Sequence, residues 1–387
     1  MGSFSDSQRT TTGFSSRPTA ITPFERWGVF NVKELYGSAT RGKRLKSADR
    51  VPGALPFVTA GEAEQGVSAF IGNDVVVFKQ NTVTIDMFGS AKYRSYNYGA
   101  DDHVAVVHTE ELSQRAAIFV ASALNKAAHT GAFDYSRNFY AKDADALTIK
   151  LPVDQKGNPD YKAMDNYIGT LEAGRINALD KYLNDTGLND YKLTDEESSA
   201  VSGFQNGGGI TWSKFFLEDL FTIKNTTNLI KSEITDFNGQ TPYVGASREC
   251  NGITAYINYN QQLLMQGDTL FIGGKTFTVF YQPDDYFSND SHNIWLKLKT
   301  SVLDSKHTYQ FMAACIYNAL SDKYEWGNSI SRAKIRNDSV YLPVLADGTP
   351  NYDAMAIYMR AVEKSVIKDV VNWKNVQLAD LTNAHYA

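Results

Sequence analysis

The sequence is poor in cysteine: Cys250 and Cys315 are the two in 387 residues, and they do not stand at metal-ligand spacing. That argues against a disulfide framework and fits a reducing compartment. It also lacks the run of roughly 18 apolar residues that a membrane span needs. No charged-then-apolar segment opens the chain, so neither a span nor a signal peptide is expected, and the expected location is the cytoplasm. A basic excess is missing too, with 38 Lys and Arg against 43 Asp and Glu and a formal charge of -5. Non-specific nucleic-acid coating needs the opposite balance, so any DNA reading must rest on local basic segments. No Walker motif occurs and no Gly-rich loop follows a strand in a dinucleotide pattern; Gly273-Gly274-Lys275 lacks the spacing. The six histidines show no ligand spacing, and the carboxylates form no evident catalytic pair.

What is present is a repeat. Leu151-Pro152-Val153, followed by Gly157, Pro159, Tyr161 and Met164, returns as Leu342-Pro343-Val344 with Gly348, Pro350, Tyr352 and Met355, each 191 positions on. A strand, a Gly/Pro turn and an amphipathic helix form one unit of construction, present twice. Trp27, Phe30, Glu34 and Leu35 match Trp212, Phe215, Asp219 and Leu220 at an offset of 185. Gly53, Pro56, Phe57, Val58 and Gly66 match Gly239, Pro242, Tyr243, Val244 and Gly252 at 186. The offset creeps between blocks, as it does when insertions collect in loops.

Between these anchors, residues 75–78, 83–88, 277–281 and 294–298 are short β-branched or aromatic runs bounded by turn residues, which predicts strands. Leu112, Ala116, Phe119, Val120 and Leu124 form one helical stripe, echoed by Phe311, Ala313 and Ile316. Each copy then closes with a helix. Met164, Ile168 and Leu171 in the first, and Met355, Met359, Val362, Val366, Val370 and Trp373 in the second, recur three or four apart, which predicts a helix-pair seam. A helix of about 25 residues spans about 37 Å, close to one turn of duplex DNA. Polar residues 195–202 and Gly207-Gly208-Gly209 read as a linker.

The chemistry is that of binding. Arg41, Lys43, Arg44, Lys46 and Arg50 oppose a single negative residue, Asp49, and suit phosphates, whereas the matching segment 224–236 is nearly neutral. A solvated charged loop is the plain alternative for that run. Thr59, Glu62 and Gln65, matched by Ser247, Arg248 and Asn251, occupy the loop between two framework strands and are candidate base readers. Lys92, Tyr93 and Arg94, facing Lys275 and Thr276, form a second polar cluster. Asn158-Pro159-Asp160-Tyr161 is superficially similar to the Asn-Pro-Pro-Tyr motif of adenine methyltransferases, but its second proline is missing and the duplicate reads Thr349-Pro350-Asn351-Tyr352. Asp284, Asp304 and Lys306 could be drawn into a metal-nuclease pattern, although the first copy has no equivalent.

In their duplicated order, the aromatic start, the Gly-x-x-Pro-(Phe/Tyr)-Val strand, the Gly-rich β region and Leu-Pro-Val-x-x-x-Gly-x-Pro resemble the DNA specificity subunits of type I restriction-modification systems. The resemblance runs from about Trp27 to Val376. It implies an α/β (α+β) fold of two tandem target-recognition domains related by pseudo-twofold symmetry and joined by two antiparallel coiled-coil helices. Each domain would read one half of a bipartite site in double-stranded DNA. The helices, through Met164, Ile168, Leu171, Met355, Val362 and Val366, would set the gap and dock methyltransferase subunits, two by symmetry. This chain would hold no cofactor or metal and would not itself be catalytic; S-adenosylmethionine, Mg and, in a type I complex, the ATP of the motor subunits would belong to partners. The closing helices look shorter than those usual in type I subunits, which resembles type IIB systems, whose partner is a fused nuclease-methyltransferase.

The expected division is a mobile leader (1–22), a first recognition domain (23–158), a central helix (159–185), a linker (186–211), a second domain (212–349) and a C-terminal helix and tail (350–387). Two other classes remain open at this point: the metal nuclease named above, and an interaction protein of phage defence that does not read DNA.

Overall fold

Trp27–Asn31 runs antiparallel to Thr148–Pro152, with Trp27 opposite Pro152, and Trp212–Phe216 pairs with Ser339–Pro343 in the same register, Trp212 opposite Pro343. The two most recognisable motifs of each repeat are therefore ladder partners. In this computed structural model residues 24–206, 208–325 and 327–384 are described, and the expected leader over residues 1–22 lies outside them. The chain divides into two units, one reaching Tyr182 and including the chain from Lys374 onward, the other Leu183–Trp373. Among the described residues no helix is long and apolar enough to cross a membrane.

Unit one opens with β1 (Trp27–Asn31), α1 (Val32–Tyr36), β2 (Thr40–Arg41), β3 (Pro52–Val58), β4 (Val67–Ile71) and β5 (Val77–Phe78). It continues with β6 (Thr82–Asp86), β7 (Ala91–Arg94), β8 (Tyr98–Ala100), β9 (Val104–Val107), α2 (Gln114–Ala128), α3 (Ala141–Ala146) and β10 (Thr148–Pro152). Helix α4 (Tyr161–Asp185) follows. The strands form the sheets β2-β9-β6-β7 and β4-β3-β8-β5 beside the β1-β10 pair. Val120, Ala121 and Leu124 of α2 are buried with Val83, Ile85, Ile149, Leu151 and Met164 in one core. Burying each of the larger aliphatic side chains contributes about 1.5–3 kcal/mol.

Unit two repeats this plan. Its elements are α5 (Asp195–Asn206), β11 (Trp212–Phe216), α6 (Leu217–Leu220), β12 (Phe221–Asn225), β13 (Thr241–Val244), β14 (Ile253–Ile257) and β15 (Thr269–Ile272). Then come β16 (Val279–Gln282), β17 (Phe287–Ser288), β18 (Ile294–Leu298), α7 (Ser305–Leu320), α8 (Arg332–Ile335), β19 (Ser339–Pro343) and α9 (Tyr352–Ala384). The sheets are β12-β18-β15-β16 and β14-β13-β17 beside the β11-β19 pair.

The turn after each Leu-Pro strand starts the closing helix. Asp160 N–H donates to Pro152 O (2.9 Å) while its carboxylate accepts from Ala163 N (2.9 Å), and Asn351 does the same with Pro343 O (2.8 Å) and Ala354 N (3.0 Å). Capping, shared by Asp and Asn, accounts for the residue after each proline without base chemistry. Against expectation, the stretch read as a linker contains α5. Thr194 and Glu197 form its capping box, and its Phe204 packs on Trp212 and on Tyr358, at centroid distances of 5.9 and 4.4 Å. Phe24 meets Trp27 (5.5 Å) and Tyr167 (5.2 Å) in unit one, so each Trp belongs to an aromatic box whose fourth member is Phe119 or Phe311. The sequence conceals α5 because its residues are mostly polar or small.

Candidate nucleic-acid interface

Strand β3 leads into a turn at Ala63–Gly66 in which Glu64, Gln65 and Gly66 have φ of 47°, 54° and 80°. Cys250, Asn251 and Gly252 repeat it between β13 and β14, at 50°, 55° and 77°. Each non-glycine residue in this left-handed region costs about 1–2 kcal/mol. The scaffold holds the strain through Thr59 N–H on Gly66 O (2.8 Å) and Gly245 N–H on Gly252 O (2.9 Å). Glycine is required at the third position, where a Cβ would stand 2.7 Å from Thr59 O or 2.9 Å from Gly245 O. The turn leaves Glu62, Gln65, Arg248 and Asn251 exposed on one repeated frame. Backbone strain maintained by the fold is characteristic of functional sites.

Arg41, Lys43, Arg44 and Lys46 are all exposed, and none has an ion-pair partner among the described residues. Arg50 differs: it donates to Leu45 O and to Ser68 Oγ (3.2 Å) and lies 5.1 Å from the centroid of Phe57, tying the basic segment to β3. Thr59, half-buried, contributes its backbone to the turn. Ser247 Oγ accepts from Glu249 N, and Asn251 donates to Tyr281 O at 2.9 Å.

The second polar cluster is corrected. Arg94 is 1% exposed; its Nε donates to Thr84 Oγ1 (2.9 Å) and its Nη1 to Tyr96 OH (3.2 Å), so it braces the β6-β7 ladder and presents nothing to a phosphate. Lys92 is engaged by Glu62 (3.2 Å), Asp86 (3.8 Å) and Ser90 Oγ (2.7 Å). The Ser90 hydroxyl and the Lys92 ammonium hold the Glu62 carboxyl below its ordinary value. Tyr93 OH donates to Asn81 Oδ1, Thr276 Oγ1 donates to Ala246 O, and Lys275 pairs with Asp290 at 3.3 Å. Alternating polar residues on an apparently exposed strand were satisfied by a neighbouring loop, which periodicity does not reveal.

The predicted helix seam is corrected as well. Met164 and Met355 are fully buried, each in the core of its own domain, and Ile168, Leu171 and Val362 are partly buried. Val366, Val370 and Trp373 are exposed, Val366 at 74%. The buried row of α9 is displaced by one position and contains Val371 and Lys374, preceded by half-buried Lys364 and Ile367. In unit two Lys364 pairs with Glu197 (3.0 Å) and Asp190 (3.2 Å); in unit one Lys374 donates to Asp180 (2.6 Å). Two lysines on the covered face misdirect a hydrophobicity pattern, because carboxylate partners distant in sequence make their burial tolerable.

The nuclease pattern does not assemble. Asp304 caps α7 and contacts His307, while Lys306 is paired with Glu363. Asp101, Asp102 and His103 are, among the described residues, the grouping whose ligand atoms lie close enough to share an ion, and it includes neither Asp284 nor Asp304. Both cysteines are free, and burial pushes the Cys315 thiol up to about 11.

The model of the type I restriction modification DNA specificity domain matches residues 25–181 and again 209–372. The chain belongs to that family. Two such domains in tandem make it a DNA specificity subunit of a restriction-modification system with two recognition domains. A curated relative, the specificity subunit S.BcgI of a type II restriction enzyme from Heyndrickxia coagulans, is 26% identical over 353 residues, 88% of this chain and 96% of that protein. Among solved structures, the type I restriction-modification S subunit from M. genitalium aligns with a TM-score of 0.61 at 14% identity, covering 95% of this chain and 96% of that one, a likeness of fold. The tandem α/β architecture expected from the repeat is the observed one.

Proposed function

We propose that each recognition domain of this specificity subunit reads one half of a bipartite, asymmetric site in double-stranded DNA. The observation that carries the reading is the duplicated left-handed turn: one strained frame, repeated with Glu62 and Gln65 in one domain and Arg248 and Asn251 in the other. Equal frames with unequal side chains suit two different half-sites. The unpaired cations Arg41, Lys43, Arg44 and Lys46 would position the backbone of one half-site. Helices α4 and α9 would set the gap and dock two methyltransferase subunits, with the exposed row Val366, Val370 and Trp373 as one contact surface.

The chain itself would be non-catalytic and cytoplasmic. S-adenosylmethionine and Mg would act in partner subunits. The relative that spans nearly its whole length belongs to a type II enzyme, which favours a fused nuclease-methyltransferase partner over separate ATP-driven motor subunits. A methylated-base map of the host with the gene present and deleted tests the proposal. Loss of one motif of two short halves at a fixed gap is the expected result. An unchanged map in a host expressing the partner would overturn it.

A further inference from the structure

Unit two contains a cavity of about 710 Å³ between β16, the face of α7 and the strained turn, lined by Arg248, Asn251, Thr278, Tyr281, Gln310 and Tyr317 among others. Its chemistry combines two cations, Arg248 and the Glu363-paired Lys306, with two amides and aromatic rings. The rings are held in place: Tyr281 stacks on Tyr309 at 5.5 Å and 17°, and Tyr317 on Phe277 at 6.1 Å and 18°. Arg248 is exposed and has no ion-pair partner among the described residues. Gln310, half-buried, adds its amide to the same wall.

Unit one shows the same position with an ion pair in it. In strand register Thr278 corresponds to Ser90 and Phe280 to Lys92, because Thr82 faces Arg94 as Thr269 faces Gln282. Ser90 Oγ accepts from Lys92 Nζ at 2.7 Å, and Glu62, the counterpart of Arg248, neutralises the same ammonium at 3.2 Å. Replacing Glu62 by Arg248 and Lys92 by Phe280 removes both partners at once. What remains in unit two is a guanidinium without an ion-pair partner among the described residues and an added ring around one space.

We propose that the Arg248–Gln310–Tyr317 cavity of the second domain binds a nucleotide, with the phosphate on Arg248, the base against the tyrosine rings, and Gln310 meeting its polar edge. Bases stack on aromatic side chains without demanding sequence, and Arg pairs with phosphate bidentately. The volume falls within the range of about 300–1,000 Å³ usual for small-ligand sites. The nucleotide would come either from a strand of the bound DNA or free from solution. The cavity stands on its own observations and does not depend on the half-site reading.

The test titrates the full-length chain with adenosine 5′-monophosphate at up to millimolar concentration, by calorimetry and saturation-transfer NMR. Binding is expected, weakened about tenfold or more by Arg248→Gln and about fivefold by the similar-sized Gln310→Met, as for loss of one charged and one neutral hydrogen bond. Tyr135→Ser, far along the first domain at an exposed loop position, should leave it unchanged. Displacement of the nucleotide by duplex carrying the methylated motif assigns the source to DNA; simultaneous binding assigns it to solution. No binding, or binding indifferent to both substitutions in variants that unfold at the parent temperature, overturns the proposal.

Discussion

Arg115 Nε on α2 stands 2.8 Å from Glu172 Oε2 on α4, and 191 positions later Glu363 on α9 is held by Lys306 and His307 of α7. Each closing helix is thus clamped to its own domain by a carboxylate at the same place in the repeat. The clamps differ in depth. Arg115 and Glu172 are both partly exposed, so Glu172→Gln should cost at most about 1 kcal/mol in denaturant unfolding. His307 is 8% exposed and faces Asp304 on one side and Glu363 on the other, so Glu363→Gln should cost more, about 1–3 kcal/mol. Equal losses at the two sites would refute the difference in depth.

Charge on the exposed segment and charge in the core should separate in DNA binding. Replacing Arg41, Lys43 and Arg44 together with Ala is expected to reduce the slope of log affinity against log salt by about 3. Their stability effect should stay within about 0.5 kcal/mol each. Arg94→Met should do the reverse, lowering the unfolding temperature while leaving the slope unchanged, since Arg94 is buried against Thr84 and Tyr96. Fluorescence anisotropy across a salt series, with the assembled complex, reads both.

The strained turn predicts a trade between stability and reading. Gln65→Gly relieves a φ of 54° and should stabilise the first domain by about 0.5–1 kcal/mol while weakening discrimination at one half-site. Gly66→Ala drives a Cβ to 2.7 Å from Thr59 O and should destabilise by more than about 1 kcal/mol. Thermal unfolding beside a methylation assay on variant sites separates the two effects.

Lys374, 1% exposed, carries its charge against Asp180. Asp180→Ala takes one carboxylate from a buried ammonium and should cost about 1–3 kcal/mol, whereas adding Lys374→Met should recover part of it. Urea unfolding of the single and double variants decides the point; a double variant no more stable than Asp180→Ala would place the loss elsewhere.

Acid should weaken the second unit. Burial works against the charged form of Glu197, but the Thr194 amide and Lys364 outweigh it, and the carboxyl lies below its ordinary value. Glu363 is likewise lowered, burial being outweighed by Lys306 and His307. A folded value below the unfolded one means the stabilisation is complete above about pH 4.3 and is lost as pH falls through the folded values. Unfolding temperature followed downward from neutral pH should therefore drop below that point, and Glu197→Gln should flatten the drop.

Much of the site was legible in position and little of it in use. Gln65 and Asn251 could be aligned from the sequence, yet their left-handed backbone could not, because two of the three residues in each turn are not glycine. Lys92 and Arg94 read as free cations, and only the approach of Glu62, Thr84 and Tyr96 shows that they are spent internally. The face of α9 was misread by one position because Lys364 and Lys374 look like solvent residues until Glu197 and Asp180 are seen beside them.

The sequence by itself determined the duplication, the strand and turn that start each closing helix, and the cores behind Leu151 and Leu342, because these depend on local geometry and on apolar spacing. The tertiary structure alone decided which polar residues face outward and where the second domain keeps a space beside its strained turn. Polar satisfaction is a property of pairs such as Ser90 with Lys92 that a single substitution elsewhere can undo, and a linear pattern does not record who meets whom.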